Sequence, residues 1–229
     1  MKSPKTNVLK YEGGELYEPP FLVPAKTVIP QWYKDDKRLP SETKTFNDKH
    51  LKHCVPFLDA LVTGYSIVTP YDLTVVIKED GPHIEWGSRS VEPASTRSKY
   101  SALTLPTPTG YNNIHFIWMI KGAIEIPKGY SALFTHPVNQ YDLPFLTLSG
   151  VIDDILLPDG SIPFFLKEGF EGLIPKGTPV LQIFLFKREN WISKKIKGLN
   201  NKSKENNFYF ITTFKGWYKQ HGWKQKKYN

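Results

Sequence analysis

The tetrapeptide Ile-Pro-Lys-Gly occurs twice in the chain, at residues 126–129 and again at residues 174–177. Each copy precedes an apolar run that is typical of a β-strand, at residues 130–134 and 178–186. Proline fixes φ and suits the second position of a tight turn, and glycine supplies the positive φ that turns the chain back. The repeat therefore predicts a strand–turn–strand unit that is used twice.

The proline content favours short strands and turns throughout the chain. The 229 residues include 19 prolines, more than the 16 glycines, and proline is excluded from helix interiors and central strands. Further apolar runs predict strands at residues 64–69, 73–77, 83–86, 114–120, 143–148 and 162–166. We therefore predict a mainly β fold, either a barrel or two packed sheets, with short helices and long irregular N- and C-terminal segments.

The chain divides into three predicted regions. Residues 1–50 form a Pro-rich extended segment that packs on the body, residues 51–191 form the β-rich core domain, and residues 192–229 form a basic, aromatic C-terminal segment. Short helices are predicted near residues 29–34 and 48–62. Within the C-terminal segment, a polar linker without an apolar period is predicted at residues 194–207. The piece from residue 208 to 218 is predicted to be a helix or a docked extension.

Positive charge is concentrated at the C-terminal end. Residues 187–229 contain 12 lysines and arginines against two acids, a net charge of +10, so residues 1–186 together carry −2 of the total of +8. The last residues alternate cations with aromatic rings, which suits docking on an acidic partner or non-specific contact with nucleic acid. The predicted docking residues are Lys215, Trp217, Lys219, Trp223, Lys224, Lys226 and Lys227. The alternative is that the rings pack on the chain's own body while the lysines are solvated.

Cysteine content and hydropathy exclude several classes of site and location. Cys54 is the only cysteine, so the chain has no internal disulfide and no cysteine-based zinc site of its own. No run of about 18 uncharged apolar residues is present, and the N-terminus lacks the apolar region of a secretory signal. We therefore predict a chain that neither spans a membrane nor is secreted, with no metal site and no cofactor.

Three motifs follow one another in the second half, at residues 126–134, at 150–153 (Gly-Val-Ile-Asp) and at 174–186. Together they resemble the β-clip fold of dUTPases and dCTP deaminases over about residues 120–186. The resemblance implies a β-clip-like barrel, with Asp153 as the base that activates water and Gln182 as a contact to the nucleotide base. It also implies a homo-oligomer, commonly a trimer, and a Mg²⁺ ion under an enzymatic function.

The chain departs from this family pattern where the phosphates would bind. Residues 135–140 stand in place of an Arg-Ser-Gly motif, and residues 154–157 stand in place of Asp-Tyr-Arg-Gly. The glycine-rich C-terminal motif is replaced by the basic, aromatic tail. Because a triphosphate needs several fixed donors and a Mg²⁺ site, the sequence predicts a scaffold without dUTPase activity.

A second resemblance covers most of the chain. The motifs at residues 24–34, 54–65, 127–131, 170–179 and 186–191 are similar to those of a family of uncharacterised proteins from marine tailed phages, especially cyanophages, and some large DNA viruses. This resemblance implies a viral origin, and with it a location in the host cytoplasm or the virion. The implied partners are other viral proteins or a second copy of the chain.

The candidate ligand residues have alternative structural roles. His136 and Asn139 follow the first repeated strand and suit either a ligand pocket or a loop with a capping Asn. Asp153 and Asp154 suit either a general base with a metal ligand or an ordinary turn, and Gln182 suits either a pocket or a solvated strand face. The leading hypothesis is a viral accessory or virion-associated binding protein on a non-catalytic scaffold. The alternative is a nucleotide-processing hydrolase or nucleotide-binding protein that uses Asp153 and Gln182.

Overall fold

Most of the described chain is β-strand, arranged in four sheets. The structure, a computed structural model, describes residues 7–13, 21–37, 51–87, 91–97, 105–153, 156–157, 160–212 and 218–229. The prediction of a mainly β chain with short helices is confirmed, and the sheets formed by the described residues do not close into one barrel. The division into regions at residues 50 and 191 stays a prediction.

The largest sheet contains the strands that follow the two tetrapeptides. Its members are β2 (Leu22–Pro24), β3 (Tyr65–Val68), β9 (Tyr130–Thr135), β11 (Gly150–Asp153) and β15 (Pro179–Lys187). The strand order is β11-β9-β15-β3-β2, and each neighbouring pair is antiparallel. Thr135 lies opposite Gln182 and Ser131 opposite Phe186, so the two repeated strands are direct partners.

The other strands form one four-stranded and two three-stranded sheets. The four-stranded sheet contains β6 (Ala94–Thr96), β7 (Phe116–Ile120), β10 (Phe145–Thr147) and β13 (Gly160–Leu166), in the order β10-β13-β7-β6. One three-stranded sheet contains β4 (Leu73–Lys78), β5 (Gly81–Trp86) and β14 (Gly172–Ile174), in the order β14-β4-β5. The other contains β1 (Lys10–Gly13), β8 (Gly122–Glu125) and β12 (Leu156–Leu157), in the order β1-β8-β12.

Each Ile-Pro-Lys-Gly copy forms a hydrogen-bonded turn with proline at its first position, not its second. The Tyr130 N–H donates to the Pro127 carbonyl at 3.0 Å, and the Thr178 N–H donates to the Pro175 carbonyl at 3.1 Å. The third residue is Gly129 with φ 83° or Gly177 with φ 82°, which is the positive value that a type II turn requires there. Both turns pass the chain from a three-stranded sheet into the five-stranded sheet. The predicted strand–turn–strand unit is therefore present twice, and the strands on either side of each turn belong to different sheets.

One apolar cluster connects strands from all four sheets. Trp118 stacks on Phe164 with ring centroids 3.8 Å apart and an interplanar angle of 7°. The Trp118 indole N–H donates to Thr147 Oγ1 at 3.0 Å, and that hydroxyl donates to the Val180 carbonyl at 2.6 Å. The buried indole thus meets its hydrogen-bonding requirement inside the core. The cluster also includes Val75, Ile124, Phe134, Phe145 and Leu181.

The described residues include three α-helices. They are α1 (Gln31–Asp35), α2 (Val55–Val62) and α3 (Leu199–Thr212), with short 3₁₀ turns at Ala25–Thr27 and Leu51–His53 and a π turn at Tyr218–Gly222. Pro30 directly precedes α1 and Pro56 lies in the first turn of α2, and at both positions a missing N–H costs nothing. The predicted linker at residues 194–207 is wrong from Leu199 onward, because α3 occupies that stretch. None of the helices among the described residues is long and apolar enough to span a membrane.

Candidate functional site

Asp153 lies on the edge strand of the five-stranded sheet, close to Arg188, which directly follows β15. β11 pairs with β9 so that Asp153 is opposite Ser131, and the Ser131 hydroxyl donates to Asp153 Oδ1 at 2.5 Å. Arg188 Nη1 lies 3.6 Å from the same oxygen, and the Arg188 N–H donates to the Gly129 carbonyl at 3.0 Å. The carboxylate is largely exposed, so this ion pair contributes about 1 kcal/mol or less. Asp153 is therefore positioned by neighbours while staying accessible to solvent.

Gln182 is buried in the middle of the body, with only 1% of its surface exposed. Its Nε2 donates to the carbonyls of Ala60 at 2.9 Å and Thr63 at 2.7 Å, and its Oε1 accepts from the Val138 N–H at 3.0 Å. The carbonyls at the end of a helix lack intrahelical partners, and the Gln182 amide serves two of those around the end of α2. Gln182 thus clamps α2, β15 and the loop after β9 together.

His136 is held in that same loop by two hydrogen bonds to the main chain. Its Nδ1 accepts from the Thr147 N–H at 3.3 Å, and its Nε2 faces the Gln140 carbonyl at 3.1 Å. This pattern needs the neutral tautomer with its proton on Nε2, since Nδ1 must accept. Burial lowers the pKa of His136, with the Gln140 hydrogen bond opposing that shift. The ring is therefore neutral near pH 7 and acts as a brace between the loop and β10.

Asn139 lies at the tip of the loop with φ 61°, the one described non-glycine residue in the left-handed region. Its side-chain oxygen accepts from the Tyr141 hydroxyl at 3.4 Å. Asn tolerates this conformation better than most residues because its short polar side chain can bond locally. The loop from His136 to Gln140 is therefore a tight turn anchored on Gln182.

The structure brings His136, Asn139 and Gln182 to one end of β15 and leaves Asp153 at the other. Asp153 is in register with Phe186 through Ser131, and Gln182 precedes Phe186 by four residues, about 14 Å along a strand. The Asp153 carboxylate is therefore out of hydrogen-bonding reach of Gln182. Asp154, the other predicted ligand residue, lies outside the described residues. Within the described part of the chain, no group of three or more His, Cys, Asp and Glu side chains is arranged to hold a metal ion.

The end of the chain, which we call the terminal segment (residues 218–229), docks on the body around Asp59 of α2. The Trp223 indole N–H donates to Asp59 Oδ2 at 2.9 Å, and the Lys226 ammonium pairs with the same oxygen. The Tyr228 ring meets Tyr65 edge-on at 5.7 Å, and burial raises the pKa of both phenols. A further contact, at 2.9 Å, runs from Lys26 Nζ to Asn229 Oδ1. The rings thus pack on the chain's own body, as in the alternative prediction for this segment.

The remaining predicted docking residues fall into two groups. Lys219, Lys224 and Lys227 lie on the exposed side of the terminal segment, whereas Lys215 and Trp217 lie outside the described residues. Sequence reasoning missed Asp59, the partner of Trp223 and Lys226. A signal was present, because Asp59 is the single acid in the apolar octapeptide that forms α2.

Along residues 186–208, the chain displays apolar side chains to solvent. Every residue from 186 to 208 is exposed, including Trp191 at 85% and Ile192 at 92%. Residues 187–198, which we call the basic arm, have no regular secondary structure beyond the last residue of β15. The predicted linker at residues 194–207 overlaps the basic arm only at residues 194–198, and sequence reasoning did not identify Trp191 as a candidate contact residue.

Comparison with known proteins identifies no matching family model and no matching curated protein. Solved structures with a likeness to the chain include dUTPases. A variant dUTPase of phage phi11 of S. aureus is 11% identical with a TM-score of 0.37, covering 84% of this chain and 98% of its own. The dUTPase of EIAV is 13% identical with a TM-score of 0.36, covering 82% and 100%. A variant dUTPase of Staphylococcus bacteriophage 80alpha is 12% identical with a TM-score of 0.35, covering 84% and 98%. Likeness at this level does not define an activity for this chain.

Proposed function

We propose that the chain is a viral accessory or virion-associated binding protein whose C-terminal region contacts the partner. The observation that carries this proposal is the unbroken exposure of residues 186–208, with Trp191 and Ile192 almost fully in solvent. Adjacent exposed apolar residues of this size mark interaction sites, because leaving them in water forgoes about 1.5–3 kcal/mol for each aliphatic side chain. The viral context and the location in the host cytoplasm or virion come from the resemblance to phage proteins.

The hydrogen bonding of the body supports a scaffold role for it. Gln182 and His136, the polar groups of the predicted pocket, are each bonded to main-chain atoms of the chain itself. A ligand that used the Gln182 amide would have to displace three hydrogen bonds in a buried site. Each buried main-chain group that lost its hydrogen bond to Gln182 would lower the free energy of unfolding by about 1–3 kcal/mol. Three such losses are a large share of a domain's stability.

We also propose that the body self-associates through the outer face of the five-stranded sheet. Val151 and Phe186 share this face and are 60% and 44% exposed. Val151, Leu133 and Phe184 lie side by side across three strands, and Phe186 follows Phe184 by two residues on the same strand. A patch formed by one face of a sheet can pair with its own copy in a symmetric oligomer. Sedimentation velocity should therefore show an oligomer, and Phe186→Ser should shift it toward monomer.

The main proposal is tested by virion binding with full-length protein. The double variant Trp191→Ser/Ile192→Ser should lose binding to purified virions while its thermal unfolding stays unchanged, since both side chains are exposed. Mass spectrometry should also detect the protein in virions made in an infected host. Equal binding by the double variant and the unchanged chain would contradict the proposal.

A nucleotide-processing hydrolase is the second candidate, and one observation favours it. Asp153 is accessible, and the Arg188 guanidinium lies 3.6 Å from its carboxylate. A carboxylate and a cation are thus adjacent at one exposed position. A nucleotide panel with Mg²⁺, assayed for pyrophosphate release, tests this candidate. Turnover that is lost in Asp153→Asn would support it, and no turnover of any nucleotide would reject it.

A further inference from the structure

The basic arm combines strong positive charge with complete exposure. Its charged residues are Lys187, Arg188, Lys194, Lys195 and Lys197 against Glu189, a net charge of +4. The one acid is paired locally, with Glu189 Oε1 3.2 Å from Lys187 Nζ. All arm residues are exposed. Such a density of cations attracts the phosphate backbone of a nucleic acid and releases its counterions.

Trp191 gives the arm a flat apolar surface among these cations. Its side chain is 85% exposed, so the face of the indole is accessible to a ligand. Proteins that bind single strands pair a cationic track with aromatic rings on which the bases stack. In a duplex the base faces are already covered by neighbouring base pairs, so an exposed indole gains this contact only from a single strand.

The terminal segment holds the far end of the C-terminal region in place. Trp223 and Lys226 are engaged by Asp59, and Tyr228 packs on Tyr65. The arm is therefore tied to the body on one side by β15 and on the other, through α3 and the residues beyond it, by the terminal segment. Tying both ends reduces the number of conformations that the arm must give up on binding. The terminal segment therefore acts as an anchor, and the arm provides the contact surface.

We propose that the basic arm binds single-stranded nucleic acid, with Trp191 stacked on a base and Lys194, Lys195 and Lys197 at phosphates. This inference rests on the proposed function in one respect, that the C-terminal region makes the contact with the partner. The three lysines provide point charges without the bidentate geometry of arginine, so binding is independent of base sequence. DNA and RNA single strands share the chemistry that the arm recognises.

The first test measures how much the charge of the three arm lysines contributes to binding, and it includes a matched control variant. Fluorescence anisotropy of the full chain with labelled DNA and RNA single strands of about 16 nucleotides gives affinity as a function of salt. The slope of log K against log salt is negative, and the triple variant Lys194→Ala/Lys195→Ala/Lys197→Ala should reduce its magnitude by about 2. The control Lys219→Ala/Lys224→Ala/Lys227→Ala removes the same charge from the terminal segment and should leave the slope near that of the unchanged chain.

The second test separates stacking from general apolar contact. Trp191→Ala should weaken binding about tenfold, and Trp191→Phe should restore most of the affinity. Ile192→Ala removes an equally exposed apolar side chain that cannot stack, and it should bind like the unchanged chain. Thermal unfolding should be the same for all three variants, because none of these side chains is buried.

Several outcomes would overturn the inference. They are no binding to either single strand, tighter binding to a duplex, equal weakening by the two triple variants, equal loss in Ile192→Ala and Trp191→Ala, and displacement of the strand by polyglutamate at the same charge concentration. The last two would indicate an apolar or an acidic protein partner instead. If single strands do not bind but Trp191→Ser/Ile192→Ser still abolishes virion binding, the inference fails while the proposed function stands.

Discussion

The core of the body buries large aromatic side chains, whereas residues 191–208 leave large apolar side chains in water. In the body, Trp118 and Phe164 stack inside a cluster that connects four sheets. Beyond β15, Trp191, Ile192 and Phe208 are exposed along a stretch with a strong excess of lysine. The contrast indicates that the body's stability comes from its own packing, while the C-terminal region gains little stability and offers surface for contact.

Matched phenylalanine substitutions should give the largest difference between the two regions. Phe164→Ala removes a side chain that is 1% exposed, and we expect a loss of about 4 kcal/mol in the free energy of unfolding. Phe208→Ala, at a position 64% exposed on α3, should change it by about 0.5 kcal/mol or less. Urea unfolding followed by circular dichroism measures both, and similar losses would show that α3 is packed as firmly as the core.

Glutamine substitutions should sharpen the same contrast for polar groups. Gln182→Ala leaves the Val138 N–H and the Ala60 and Thr63 carbonyls without their partner, so we expect a loss of about 3 kcal/mol. Gln225→Ala in the exposed part of the terminal segment should be nearly neutral. A neutral Gln182→Ala in the same urea titration would argue against the clamp.

Alanine at the two turn glycines should have a smaller effect that is equal for both copies of the tetrapeptide. Gly129 and Gly177 have positive φ and open space where a Cβ would lie, so the cost is conformational alone. We expect each substitution to lower stability by about 1–2 kcal/mol and the two to be roughly additive. Gly150→Ala, with open space and no positive φ, is the control and should not destabilise the protein.

Loss of the Lys226 ion pair should loosen the terminal segment without unfolding the body. Lys226→Gln removes the positive charge that pairs with Asp59 but keeps a side-chain donor, and because the Lys226 side chain is 42% exposed we expect a loss of about 1 kcal/mol or less. Hydrogen exchange of residues 218–229 should accelerate in Lys226→Gln and stay unchanged in Lys227→Gln. Equal exchange in the two variants would mean that the Asp59 contact does not hold the segment.

The smallest expected effect is a dependence of body stability on the protonation of His136. Because burial lowers the pKa of folded His136 below the ordinary value near 6.5, the unfolded chain takes up the proton first as the pH falls. The unfolding free energy should therefore be fully retained above about pH 6.5 and decrease below it. His136→Gln should reduce this decrease when urea unfolding is compared at about pH 7.5 and about pH 5.5, and an unchanged pH dependence would contradict the assignment.

Several elements were predictable because their cause is local. The β-branched run at residues 73–77 and the aromatic, apolar run at residues 162–166 form strands, and Gly129 and Gly177 take the positive φ that their turns require. β1 was missed because its residues Lys10–Gly13 have little strand character of their own. That strand exists through pairing with β8, which includes an ion pair between Lys10 and Glu125 at 3.1 Å. A strand that forms through pairing with a distant strand cannot be predicted from its own residues alone.

The candidate site also combines features that were predictable from local sequence with features that depend on distant contacts. The sequence identified the basic charge of the C-terminal region and the position of the Gly-Val-Ile-Asp motif, since both depend only on which residues are present. It could not show that Gln182 is a buried clamp, because its three partners are 44 to 122 residues away. Nor could it assign Asp59 to Trp223, a contact across 164 residues.

The sequence by itself determined the doubled turn, the β-rich body and the charge excess at the C-terminal end, since each depends on local residue chemistry. Only the tertiary structure decided that the two turns feed adjacent strands of one sheet, and that the terminal segment is an anchor. It also decided that the exposed contact surface lies upstream, around Trp191. These features depend on which distant groups lie opposite one another, and a chain acquires such neighbours only when its sheets assemble.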